Sequence, residues 1–129
     1  MKRNKNLLLI IGIIIIAILF IVFFRSSQTP SAGGIYDSFA QCISDSGAKF
    51  YGADWCPTCN DQKAIFADSA KLLPYVECSL PNRTQNLGCK KEGIEAYPTW
   101  KFVDGTENVG MLSFDQLAEK TGCVSPSSS

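Results

Sequence analysis

From Leu7 to Phe24 the chain reads LLLIIGIIIIAILFIVFF, eighteen consecutive residues without a charge. As a helix this run would be about 27 Å long, just enough to span a bilayer. A secretory signal would have a shorter apolar core followed by a small-residue cleavage site. Here Arg25 follows directly, and the nearest cleavage candidate, around Ser31 and Ala32, lies downstream. An uncleaved transmembrane anchor over 7–24 is therefore expected, with a cleaved signal as the alternative. Residues 1–6 form a cytoplasmic N-terminus, 25–34 (RSSQTPSAGG) a flexible linker, 35–123 one folded domain and 124–129 a polar tail.

Within the domain the apolar positions come in short segments with alternating periods. Asp37 or Ser38 caps a helix through Ser46, with Phe39, Cys42 and Ile43 on one face and Gly47 at its end. A strand over Lys49–Ala53 leads into Trp55-Cys56-Pro57-Thr58-Cys59, which opens a helix running to about Leu73. Pro57 suits its first turn, where a missing N–H costs nothing. Tyr75–Ser79 alternates as a strand does. PNRTQN is a loop, and Gln85–Glu92 is a short helix stopped by Gly93. Thr99–Val103 is strand-like, and Asp104-Gly105 turns it into Asn108–Leu112. Ser113 caps a last helix, with Gln116 completing a capping box and Gly122 closing it. The order αβαβαββα implies an α/β sandwich around a mixed sheet.

Charge and composition narrow the chemistry. Lys2, Arg3, Lys5 and Arg25 give the first 25 residues +4, while the remainder has eight basic and twelve acidic residues, a net of −4. The cluster at residues 2–5 keeps the N-terminus cytoplasmic and places the domain outside. That is a compartment in which disulfides persist. An acidic domain without a basic run offers nucleic-acid phosphates no grip. The absence of histidine removes Ser-His and Cys-His nucleophile pairs and histidine metal sites. No cofactor is expected.

Six cysteines in 129 residues are the remaining source of chemistry. Cys56 at a strand-to-helix junction meets unpaired N–H groups and the helix dipole, which favour a thiolate. It is the expected nucleophile. Cys59, one turn on, is placed to resolve a mixed disulfide. A structural disulfide and half of a zinc site are the alternatives. Zinc fits poorly, because Cys78 and Cys89 do not form a second closely spaced pair. Asn82-Arg83-Thr84 matches an N-glycosylation triplet of a kind that often arises by chance.

AxWCPxC after an apolar strand, followed later by Tyr97-Pro98-Thr99 before another strand, resembles the thioredoxin superfamily. More narrowly, FAQC…GAKFYGADWCPTCNDQK…LLPYVEC…C…GIEAYPTW is similar, over residues 38–122, to the thioredoxin-like domain fused to or partnered with vitamin K epoxide reductase homologues in bacteria and plants. The resemblance implies that Cys56 attacks, that Cys59 resolves and that Pro98 is the cis-proline beside them, with Trp55 the aromatic before the nucleophile and Pro57, Thr58, Tyr97 and Thr99 in support. It implies disulfide exchange between exported cysteine-containing proteins and a quinone-linked vitamin K epoxide reductase-like membrane partner. Two departures stand out. Phe50 occupies the position of the thioredoxin carboxylate that serves the resolving thiol, and Thr58 stands where related oxidases carry histidine. Similar domains carry a pair at the places of Cys78 and Cys89, which implies a second disulfide; two free buried thiols are its alternative. Cys42 and Cys123 remain for a third, against independent burial of Cys42, and three pairings of these four cysteines stay open.

The expected protein is a membrane-anchored, extracytoplasmic thiol-disulfide oxidoreductase that passes disulfides to exported proteins. A reductase of the same fold, as in cytochrome c maturation, and a non-catalytic docking module are the rivals.

Overall fold

The computed structural model describes residues 2–26 and 33–128, with side chains at Asn4, 7–21 and 33–127. Two compact units result, 1–32 and 33–129. The first is one helix, α1 (Lys2–Ser26), whose large apolar side chains from Leu7 to Ile21 are exposed. Among the described residues no helix is long and apolar enough to cross a membrane. The expected transmembrane segment is helical, but it is not found as a membrane span among the described residues. Residues 27–32 of the expected linker lie outside the described residues.

The second unit holds α2 (Asp37–Asp45), β1 (Lys49–Gly52), α3 (Pro57–Ala64), β2 (Tyr75–Glu77), α4 (Leu87–Lys91), β3 (Thr99–Lys101), β4 (Glu107–Val109) and α5 (Phe114–Thr121). The sheet order is β2-β1-β3-β4, with β1 parallel to β2 and antiparallel to β3, and β3 antiparallel to β4. This is the mixed sheet with flanking helices that the alternation of segments implied. Because β1 is central, Phe50 and Tyr51 are both buried, on opposite faces. Phe50 stacks on Trp100 and joins Phe39, Ile43, Phe66 and Leu117 in the larger core cluster, and Tyr51 joins Cys78, Cys89 and Ile94 in the smaller.

Several boundaries differ from the sequence expectation, each for a local reason. Tyr36 is the N-cap of α2 and makes no side-chain cap bond, so neither Asp37 nor Ser38 caps it. Cys42 is exposed rather than sharing the buried face of Phe39 and Ile43. The helix after Cys59 does not reach Leu73: α3 ends at Ala64, Ala67 takes a left-handed φ of 48°, and a 3₁₀ helix covers Ala67–Leu72. The break turns Phe66 into an aromatic cluster with Phe39, Phe114 and Tyr36. Strand β4 stops at Val109, before Gly110 at φ 102°, instead of reaching Leu112. The predicted capping box of α5 is present, with Gly122 left-handed at its end. The tail is less free than its polarity suggests. Ser125 is buried and donates to Asp115, which holds that carboxyl below its usual range through hydrogen bonds from Ser125 and Ser127.

Candidate active site

The carboxyl end of β1 delivers the chain to a turn at Ala53–Trp55, and Cys56 is the N-cap of α3 in extended conformation. Its Sγ accepts the backbone N–H of Cys59 at 3.4 Å, so the side chain itself satisfies one of the free donors at the helix start. Pro57 occupies the first turn, and Pro57 and Thr58 are both exposed. Opposite, the Cys56 thiol donates to the carbonyl of Tyr97 at 3.8 Å. The Tyr97–Pro98 bond is cis, Pro98 is buried, and the Thr99 hydroxyl donates to the Ala96 carbonyl, closing the loop from the other side. Residues 56, 59, 97, 98 and 99, scattered in sequence, are thus brought to one place at the end of the central strand.

The two thiols differ in surroundings. Cys59 is fully buried, whereas Cys56 is 6% exposed. Burial pushes the Cys59 thiol up to about 12, helped by its hydrogen bond with Cys56, while the Ala53 backbone and, less strongly, Lys63 pull the other way. Cys59 therefore holds its proton at neutral pH. Room for it exists because residue 52 is glycine: a Cβ there would lie 3.0 Å from Cys59 Sγ and 2.8 Å from Tyr75 Cε2. Cys56 and Cys59 are the free thiols among the described residues.

Trp55 is 43% exposed, donates from Nε1 to Ser79 Oγ at 2.7 Å and meets the Tyr97 ring edge-on at 6.2 Å. A hollow of about 370 Å³ lies beside Trp55, Leu80 and Arg83, and another of about 480 Å³ beside Tyr97, Ile94 and Glu95. Trp55 lines the first and Tyr97 the second, and the Tyr97 carbonyl meets Cys56. A chain presenting a thiol or disulfide to Cys56 would have apolar and charged surface on both sides.

The other four cysteines are paired, Cys78 with Cys89 and Cys42 with Cys123. The first bond ties Cys78, just past β2, to α4 across the smaller core cluster, and the second ties α2 to Cys123, two residues past the end of α5. Phe50, at the position of the thioredoxin carboxylate, is a core aromatic and places no acid near Cys59. In the Asn82 triplet, the carboxamide oxygen accepts from both the backbone N–H and the hydroxyl of Thr84.

Sequence reasoning missed Gln62. Fully buried, it accepts the Leu112 N–H at 2.7 Å and the Trp100 indole N–H at 3.4 Å, and it donates to the Leu112 carbonyl at 3.1 Å. It fastens α3, and with it both thiols, to the segment after β4. A glutamine three positions after Cys59, on the inner face of a helix, was the signal. Lys63 and Tyr75 were missed as well: the Lys63 ammonium lies 3.4 Å above the centroid of the Tyr75 ring.

No protein-family profile matches the chain. It is 36% identical over 105 residues to the thiol-disulfide oxidoreductase LTO1 of Arabidopsis thaliana, a match covering 78% of this chain and 28% of that protein. The chain thus spans little more than a quarter of that protein's length.

Proposed function

We propose that this chain is a thiol-disulfide oxidoreductase in which Cys56 exchanges with substrate sulfur and Cys59 resolves. One observation carries the reading: Cys56 Sγ sits at the start of α3, receives the Cys59 N–H and faces the Tyr97 carbonyl beside cis-Pro98. In the oxidised state a substrate thiolate attacks Cys56, Cys59 leaves and takes up a proton, and a second substrate thiolate releases the substrate as its disulfide. The similarity to a protein named as a thiol-disulfide oxidoreductase supports the same activity.

The finer reading is that the chain is a membrane-anchored, extracytoplasmic member of the thioredoxin superfamily, donates disulfides to exported cysteine-containing proteins and is reoxidised by a quinone-linked vitamin K epoxide reductase-like membrane protein. The apolar run of residues 7–24, the positive charges at residues 2–5 and the two further disulfides support the location. The motif resemblance supports the partner.

The test is the reduction potential of the full chain in detergent, equilibrated in glutathione buffers and read by mass after alkylation, with Cys56→Ser as control. A value above about −200 mV supports disulfide donation, and one near −270 mV supports the reductase alternative. A Cys56–Cys59 bond that resists dithiothreitol overturns both in favour of a docking module. Extraction of membranes with alkaline carbonate tests the anchor, since a chain released by carbonate is not spanning.

A further inference from the structure

Resolution demands that the more buried of the two thiols ionise. Cys59 must become a thiolate to attack the Cys56 mixed disulfide, and it leaves as a thiolate when the reaction runs in reverse. Thioredoxins serve this thiol with a carboxylate at a position that here is Phe50, stacked in the core. Around Cys59 and the adjoining Tyr75, the titratable and charged groups are Cys56 and Lys63 of α3, Glu77 of β2, Asp54 of the turn after β1, and Lys71 of the 3₁₀ helix, which lines the hollow beside Tyr75 together with Lys63. Of the two cations, Lys63 is the one that shares a helix with Cys59 and sits over the Tyr75 ring.

Its position is fixed by three features. Lys63 follows Cys59 by four residues, so the two lie on one face of α3 a single turn apart. Its ammonium is held over the Tyr75 ring at 3.4 Å, as cations are held by aromatic faces. The edge of that ring and Cys59 Sγ both crowd the same point above Gly52. Tyr75 is itself fixed, its hydroxyl donating to Glu77 at 2.7 Å and its ring meeting Phe50 edge-on. Lys63 is half-buried, so its charge acts on Cys59 with less screening than that of a fully exposed lysine.

We propose that Lys63, held by the Tyr75 ring, is the positioning residue that stabilises the Cys59 thiolate during resolution. The step balances without a further reactant. The thiolate of Cys59 attacks Cys56 Sγ, the Cys56–Cys59 bond forms as the Cys56–substrate bond breaks, and the departing substrate thiolate takes up a proton equivalent to the one Cys59 gave to solvent. The inference rests on the proposed exchange activity of Cys56.

The test uses the reduced full chain in detergent and an aromatic disulfide that releases coloured thionitrobenzoate twice, first when Cys56 attacks it and again when Cys59 displaces the mixed disulfide. Lys63→Met should leave the first release unchanged, slow the second about tenfold at neutral pH and move its pH profile up by about one unit. Lys63→Arg should keep the rate within about twofold, since the charge is retained. Tyr75→Leu, which removes the ring beneath the ammonium, should slow the second release. A second release by Lys63→Met with the parent's rate and pH profile overturns the proposal, as does a Tyr75→Leu chain whose second release matches the parent's. Failure of the first release in the parent protein would instead overturn the assignment of Cys56.

Discussion

Replacing Gln62 by leucine removes a fully buried carboxamide of nearly the same volume and leaves its partners behind. The Leu112 N–H and C=O lose their bonds, and so does the Trp100 indole N–H, although the last, at 3.4 Å, is weak to begin with. Each buried backbone group left unpaired costs about 1–3 kcal/mol. The gain from burying leucine instead of an amide offsets about 1 kcal/mol of this. The net loss should be about 2–4 kcal/mol, which for a domain of this size lowers Tm by roughly 10–25 °C. Thermal unfolding of the reduced and oxidised chains, followed by circular dichroism, checks this. Gln62→Glu provides a signed control. An ionised carboxylate would face the Leu112 carbonyl without a proton to donate, so the buried acid is held protonated and its folded pKa lies above its unfolded value of about 4.3. The stability of Gln62→Glu is therefore full below pH 4 or so and declines as pH rises toward neutral. A Tm for Gln62→Leu within 2 °C or so of the parent's, or a Gln62→Glu chain that gains stability between acid and neutral pH, would refute the role assigned to this side chain.

Gly52→Ala should cost about 1–3 kcal/mol, because its Cβ would press on the Tyr75 ring at 2.8 Å and on Cys59 Sγ at 3.0 Å; urea unfolding should show a lower midpoint, and an unchanged midpoint would mean that the ring moves freely. Removing the Cys42–Cys123 bond, whose cysteines are 81 residues apart, should cost about 4.5 kcal/mol, against about 3 kcal/mol for Cys78–Cys89 at a separation of 11. Paired serine variants compared by denaturant titration test that order. In the reduced chain Cys59 is raised to about 12, so the stability that its protonated form contributes is complete below pH 9 and is lost as pH rises through 12. The reduced form should therefore weaken relative to the oxidised one over that window. Ser113→Ala removes the bond to the Gln116 N–H in the capping box of α5 and should cost about 1 kcal/mol, measurable as a small fall in Tm.

The parts of the fold legible in the sequence are those set by local rules. Period, capping and turn chemistry located β1, the α3 start at Pro57, the Asp104-Gly105 turn and the Ser113–Gln116 box, because each is decided by neighbours within a few residues. What was not legible depends on contacts across the sheet. The end of α3 is set by Phe66 meeting Phe39 and Phe114, and the end of β4 falls just before Leu112, whose N–H and carbonyl bond Gln62, fifty positions earlier. Local helix signals would carry the chain on to Pro74, yet an aromatic cluster outweighs a few residues of helix propensity.

The site divides along the same line. The Cys56-Pro57-Thr58-Cys59 spacing is local, so the two thiols could be read directly, but their inequality could not. One helical turn separates the sulfurs, and the difference between them comes from what each meets outside the helix: the Tyr97 carbonyl at the surface for Cys56, and Gly52 and Tyr75 inside for Cys59. Exchange requires this asymmetry. A buried thiol that keeps its proton cannot compete for incoming substrate, and an outer sulfur at the helix start meets substrate first. The motif supplies the pair of sulfurs, and the strands β1 and β2 beneath it assign their order of reaction.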